Sequence, residues 1–254
     1  MNTARHWSSL AAGLLLALLG LSKAEAAVAA AELADLAAQL QYAWYTEQSD
    51  ELIVLAEQLA DEKPRGDIEP WLRYYSAYGY YRAAMLAGDD YFGEYVERCE
   101  DLSRALLRQD PEFVEALILR GSCAALLSSR RPVSAVLAPS RAVKSFAKAA
   151  RLAPENPRLL LQQAVAAIGR PALRDEFAPV NQLLESSLVE FARSIDVDPL
   201  TPDWGEAEAN AAIAQLAIKA GNKKRARDAI EQALQIVPDY YAAKALLNEL
   251  RAAR

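Results

Sequence analysis

Histidine is almost missing from this chain: of 254 residues, His6 is the only one. It stands beside Arg5, ahead of the apolar run "LAAGLLLALLGL" from Leu10 to Leu21, and "AEA" at 24–26 offers small residues where a signal peptidase reads. Residues 1–26 are therefore expected to be a secretory signal peptide, cut near Ala26, that sends the chain across the inner membrane to a periplasm. The apolar run is 12 residues long, whereas a membrane-spanning helix needs about 20. No cysteine stands directly after the cut, where a lipoprotein anchor would need one, and no twin arginine precedes the run. Without its leader the chain has no imidazole. That excludes Ser/His/Asp and Cys/His nucleophile systems and every metal site that uses histidine.

Glycine is scarce as well, with 10 residues, and no Gly-rich phosphate loop and no Cys/His metal spacing occurs. The sequence calls for no cofactor. Positive charge is in deficit: losing Arg5, Lys23 and Glu25 with the leader takes 28 basic and 34 acidic side chains to 26 and 33, a net charge of −7. A phosphate backbone would be repelled overall, so nucleic acid is not the expected partner.

What is present in abundance is alanine and other helix formers, which favour an all-α fold. Four prolines punctuate them. Twelve residues before Pro111, Pro154, Pro199 and Pro238 stand Cys99, Ala142, Ser187 and Ala226, all small. Four residues on from these stand Ser103, Phe146, Phe191 and Ile230, and seven on stand Leu106, Ala149, Ser194 and Ala233. Offsets of four and seven share one helix face. Each block is thus a helix that crosses its neighbour at a small residue and stops at a proline, which has no N–H to continue the ladder. Another helical stretch follows each stop. After Pro111 it carries Gly121 and after Pro154 Ala164, small residues that let the partner helix approach. The unit is an antiparallel helix pair, repeated.

These features resemble the tetratricopeptide repeat family. Residues 207–240 match its 34-residue pattern best, through Ile213, Ala214, Ala217, Gly221, Ala226, Ile230, Ala233 and Pro238. In the units ending at Pro111, Pro154 and Pro199 the turn between paired helices is longer. In "YYRAAMLAGDDYFGEYVERCEDL" the excess reads as an added turn on each helix with "AGDD" at the bend. In "SSRRPVSAVLAPSR" it reads as a surface loop, and in "GRPALRDEFAP" as a short helix between two prolines. The resemblance implies a right-handed α-solenoid of about five antiparallel pairs over 27–254: roughly 31–64, 70–111, 112–154, 156–199 and 203–238, closed by a capping helix at 239–254. Stacked repeats leave an extended inner wall free, and the reading of the chain as an adaptor leans on that wall being open.

By the repeat's geometry the inner, concave side would carry Arg73, Ser76, Tyr80 and Ala84. It would continue with Glu115, Ile118, Ser122 and Ala125, then Arg158, Leu161 and Val165, then Glu208, Gln215 and Lys219. The mixture is neither a carboxylate clamp nor an apolar trough. Arg73 and Tyr80 are the expected anchors. Aromatics crowd the N-terminal half, in "YAWY" at 42–45, "WLRYYSAYGYY" at 71–81 and "YFGEY" at 91–95. They suit a groove that grips a peptide or sugar, or else they fill the seams between long helix pairs. Cys99 and Cys123 stand 12 residues either side of position 111, at one height in an antiparallel pair. They are either a disulfide, which an oxidising compartment would allow, or small core residues. The cations Arg130, Arg131, Arg141, Lys144, Lys148 and Arg151 form either a docking patch for anionic lipid or an acidic partner, or a solvated face.

"LLESS" at 183–187 resembles, in Glu185 and Ser186 only, the catalytic start of lytic transglycosylases, and the glycine-rich segment that should follow is missing. The expected function is accordingly a non-enzymatic, exported scaffold or adaptor that binds a protein or peptide on its concave face, with no membrane span once the leader is cut. The alternative is a small-molecule binder or transport accessory in which the aromatics enclose a pocket. A cell-wall glycan-cleaving enzyme comes third.

Overall fold

The computed structural model describes residues 30–62, 68–131, 136–169, 177–194 and 198–252, and no strand occurs among them. Eleven helices follow one another among these residues: α1 over 30–45, α2 (Ser49–Asp61), α3 (Glu69–Leu86), α4 (Asp89–Gln109), α5 (Val114–Arg130), α6 (Ala138–Leu152), α7 (Pro157–Ile168), α8 (Phe177–Arg193), α9 (Glu206–Lys219), α10 (Lys223–Ile236) and α11 (Tyr241–Ala252). The expected signal peptide, and with it His6, lies outside the described residues. No described helix is long and apolar enough to cross a membrane.

Helices α3 and α4, α5 and α6, α7 and α8, and α9 and α10 pack as pairs, each pair lies against the next, and α11 covers α9 and α10. The chain is an all-α solenoid. Pro111, Pro154, Pro199 and Pro238 each sit in a turn beyond a helix, as their missing N–H requires. The added length in the second pair is helical: α3 has 18 residues and α4 has 21, against 14 each for α9 and α10. Only Ala87 and Gly88 separate them.

Local chemistry sets the ends. After α9, Gly221 takes φ +72°. The amide of Asn222 donates to Ala217 O at 2.8 Å and that of Gly221 to Ile218 O at 3.0 Å, a closing pattern that needs a left-handed residue. Asn222 then caps α10 by accepting from the Arg225 amide at 3.1 Å, and Asn156 caps α7 by accepting from Leu159 at 3.0 Å, with Pro157 at the first helical position.

The expected crossing residues Cys99, Ala142, Ser187 and Ala226 are all buried. At Gly121 a Cβ would stand 2.6 Å from the ring of Phe146, so the glycine is what admits the phenylalanine. Of the positions seven residues on, Leu106, Ala149 and Ala233 are buried, but Ser194 is exposed because α8 ends at Arg193. Cys99 on α4 and Cys123 on α5 are joined by a disulfide, Cα–Cα 6.4 Å, across a separation of 24 residues. Closing a loop of that length lowers the unfolded chain's entropy by an amount worth about 3 kcal/mol.

The solenoid also curls onto itself. Tyr240, just ahead of α11, meets Tyr45 at the end of α1 with ring centroids 4.9 Å apart. First and last turns touch, so the inner wall is not the free, extended surface that a straight stack would leave.

Candidate functional site

The helices α1, α3, α5, α7 and α9 face the inside of the curl. On α3 the residues turned inward are Tyr74, Tyr75, Tyr78, Tyr81 and Arg82, and each meets a residue from a distant part of the chain. The connection from α8 to α9 fills the middle of the wall. Its Trp204 stacks on Tyr78 at 5.1 Å and donates from Nε1 to Tyr74 Oη at 3.1 Å. Tyr75 Oη donates to Leu200 O at 3.0 Å, and Arg158 on α7 donates to Pro202 O. Gly205 makes the entry into α9 possible. Its φ is +124°, and a Cβ there would stand 2.5 Å from the Phe191 ring.

Behind Trp204, Arg82 and Glu208 form an ion pair of 2.7 Å between side chains 3% and 8% exposed. Glu208 lies in the first turn of α9, where the helix dipole favours an anion. It also accepts from Tyr45 Oη at 2.9 Å and from Gln41 Nε2 at 3.3 Å, tying α1 to α9. The Arg82 guanidinium carbon sits 4.4, 4.8, 5.4 and 4.9 Å from the ring centroids of Trp44, Tyr78, Tyr81 and Trp204. This is an aromatic cage whose cation is the chain's own. Burial alone pushes the Arg82 pKa down, but Tyr78, Glu208 and Tyr81 outweigh it and the net shift is upward. Burial, seconded by the Glu208 charge, raises Tyr45 and Tyr240, and burial raises Tyr74, Tyr78 and Tyr81. A second buried pair follows along the wall: Glu115 on α5 accepts from Arg158 Nε at 3.1 Å and Nη2 at 3.0 Å and from Asn156 Nδ2 at 2.8 Å.

The concave positions expected on α3 are corrected by this geometry. Ser76 donates to Ala56 O on α2, Ala84 packs with Phe92 and Val96 of α4, Tyr80 tilts on Tyr95 of α4, and Arg73 pairs with Glu69 one turn back. All four turn away from the inner wall, because α3 is buried almost all round and its composition marks no single face. On α5, Glu115, Ile118 and Ser122 are all buried: Glu115 pairs with Arg158, Ser122 borders the inner wall, and Ile118 belongs to an apolar cluster with Phe146 of α6 and Leu159 of α7. The aromatics of 71–81 fill the interior instead of lining an empty groove.

Beyond the plug the inner wall opens. Between the C-terminal parts of α3, α5 and α7 lies a groove of about 130 Å3, with Met85, Ala125, Leu126 and Val165 as its apolar part and Ser122 and Gln162 as polar groups. Gln162 is held by Tyr81 Oη, which donates to its Oε1 at 3.0 Å. Ser129 stands exposed at its edge.

The other candidates resolve as follows. Arg130 pairs with Asp89 at 3.0 Å and donates to Ala87 O at 2.9 Å, and Arg131 donates to Asp89 O at 2.8 Å, so both clamp the α3–α4 turn. Arg141 pairs with Glu100 at 3.0 Å. Glu185 is exposed and pairs with Arg225 at 2.7 Å. Among the described residues no group of three or more His, Cys, Asp or Glu side chains is placed to hold a metal ion. Trp204 and Glu208 carry the closure. A signal for it was present, since a tryptophan in "TPDWGEAEAN", between proline turns and a helix start, has little reason to be in water.

No protein-family model and no curated protein matches the chain by sequence. By structure it is similar to a thermophilic TPR protein of Thermus thermophilus, with a TM-score of 0.60 and 16% identity over 88% of this chain and 99% of that one. The fold is tetratricopeptide-like.

Proposed function

We propose that this protein is a non-enzymatic tetratricopeptide-type scaffold that holds a short segment of another protein on its inner wall. The observation that supports this most directly is the open groove between α3, α5 and α7. It has an apolar part, a few oriented polar groups, and a rigid, self-filled wall beside it. Rigid apolar grooves with sparse polar groups suit a peptide anchor, because little ordering entropy is lost on binding. The docking place is thus Ser122, Ala125 and Val165 rather than Arg73 and Tyr80. The small-molecule reading needs the aromatics to enclose a vacant pocket, and here they enclose Arg82. Export to an oxidising compartment is part of the proposal. The apolar leader at 10–21 and the Cys99–Cys123 bridge both favour it.

The test is affinity capture from a native envelope extract with the intact chain and with Ser129→Trp, which sets a bulky ring at the groove edge from an exposed position. A protein recovered by the intact chain and lost with the variant is the expected result. Equal recovery would place the partner elsewhere, and a tightly co-purified small molecule in native mass spectrometry would sink the scaffold reading.

A further inference from the structure

The outer helix α6 packs chiefly on α5, and α4 packs on α5 as well as on its own partner α3, which leaves a gap between α4 and α6 floored by α5. Arg141 crosses the gap to Glu100 and divides it. On one side of the bridge the wall of α4 is acidic, through Asp90, Glu94, Glu97 and Asp101. On the other side is a cleft of about 280 Å3 whose apolar lining is Leu117, Leu107 and the exposed Pro111, and whose charged lining besides Arg141 is Arg120, Lys144 and Lys148. Among the described residues no carboxylate lies within ion-pair distance of these three cations. The cleft's remaining arginine, Arg141, is already paired, and the chain as a whole carries a net charge of −6.

Three unneutralised cations beside apolar side chains raise the local potential where the rest of the surface lowers it. Bringing them together costs self-repulsion that an anionic occupant would relieve. Lys144 and Lys148 follow one face of α6, and at 1.5 Å rise per residue this row spans about 6 Å. Carboxylates on alternate residues of an extended peptide are about 7 Å apart, so two of them reach the row while the side chain between them points to the apolar lining. We propose that this cleft receives an acidic, Asp- or Glu-containing segment of a partner protein, with an apolar side chain seated on Leu107, Pro111 and Leu117. A bilayer is a poorer fit, because a flat anionic surface meets the rim of a cleft and not its walls. Nucleic acid meets the acidic stretch of α4 next door. The proposal concerns the outer face and stands whether or not the inner groove has an occupant.

Fluorescence anisotropy of the full chain with a labelled peptide of about 12 residues, Glu alternating with Leu and Ser, tests it at low and at moderate salt, where screening separates ionic from apolar contributions. The expected result is saturable binding that weakens with salt, falls by about tenfold or more in Lys144→Glu/Lys148→Glu, and is unchanged in Ser129→Trp. Circular dichroism confirms that both variants keep the helical fold. A Lys-for-Glu version of the peptide should not bind. Absence of saturable binding, or equal affinity in the charge-reversed variant, overturns the proposal. So does binding to phosphatidylserine vesicles, or self-association of the chain, that the reversal abolishes while the peptide is ignored.

Discussion

Two groups of cations in this molecule are held in opposite ways. In the middle of the inner wall Arg82 and Arg158 are buried, and each meets a carboxylate, Glu208 or Glu115, at 2.7 and 3.0 Å. In the cleft between α4 and α6, Arg120, Lys144 and Lys148 stand partly or wholly in solvent beside apolar side chains and, among the described residues, meet none. Burial explains the difference. A charge removed from water must be paired and hydrogen-bonded, or the fold does not form, whereas a charge left in water can wait for a ligand. Paired cations here set the shape of the solenoid; unpaired ones offer a surface.

The largest expected consequence is at high pH. Tyr45, Tyr74, Tyr78, Tyr81 and Tyr240 all have pKa values raised by burial, so the fold favours their neutral form. That contribution to stability is complete below the unfolded tyrosine pKa of about 10 and is lost as pH climbs through the raised folded values. Absorbance at about 295 nm, set beside circular dichroism, should show a group of tyrosines that ionises only when the helices are lost. If all tyrosines ionise smoothly around pH 10 with the helices intact, the interior is wetter than the aromatic closure requires.

Next in size is Glu208→Gln. It leaves the Arg82 guanidinium buried among four rings with no anion, and breaking a buried pair in this way costs about 3–5 kcal/mol. Urea unfolding should report a loss of that order. A loss below about 1 kcal/mol would mean that the cage alone holds the cation and that the inner and outer cations differ less than the geometry says.

The sequence made the repeat legible, and of the closure it marked only Trp204, not what Trp204 and Glu208 would meet. Small, bulky and small residues at fixed distances ahead of a proline report contacts within a pair, such as Gly121 against Phe146, and these are local in the chain. The pairing of Arg82 with Glu208 joins residues 126 apart, and nothing local to either marks the other. On α3 the inner face could not be phased, because Tyr74, Tyr78 and Ala77 are as buried as Ser76 and Ala84 on the other faces. Where a helix keeps a wet side, as α5 and α7 do in part, the expected inner positions Ser122 and Val165 do line the groove. Periodicity reads which side of a helix is dry. It fails on a helix that is dry all round.

The smallest expected effect sharpens the comparison most. Lys144→Ala/Lys148→Ala removes two cations that have no partner to leave behind and, on the cleft wall, repel each other and Arg120. Surface changes away from caps and cores usually stay within about 0.5 kcal/mol, and relief of like-charge repulsion carries the sign toward stabilisation. Unfolding midpoints of this variant should therefore equal or slightly exceed those of the intact chain, more so at low salt, where repulsion is least screened. A marked destabilisation would show that the two lysines are engaged in the fold after all, as Arg130 and Arg131 are at the α3–α4 turn. The cleft would then belong with the inner wall, as a place where cations build structure.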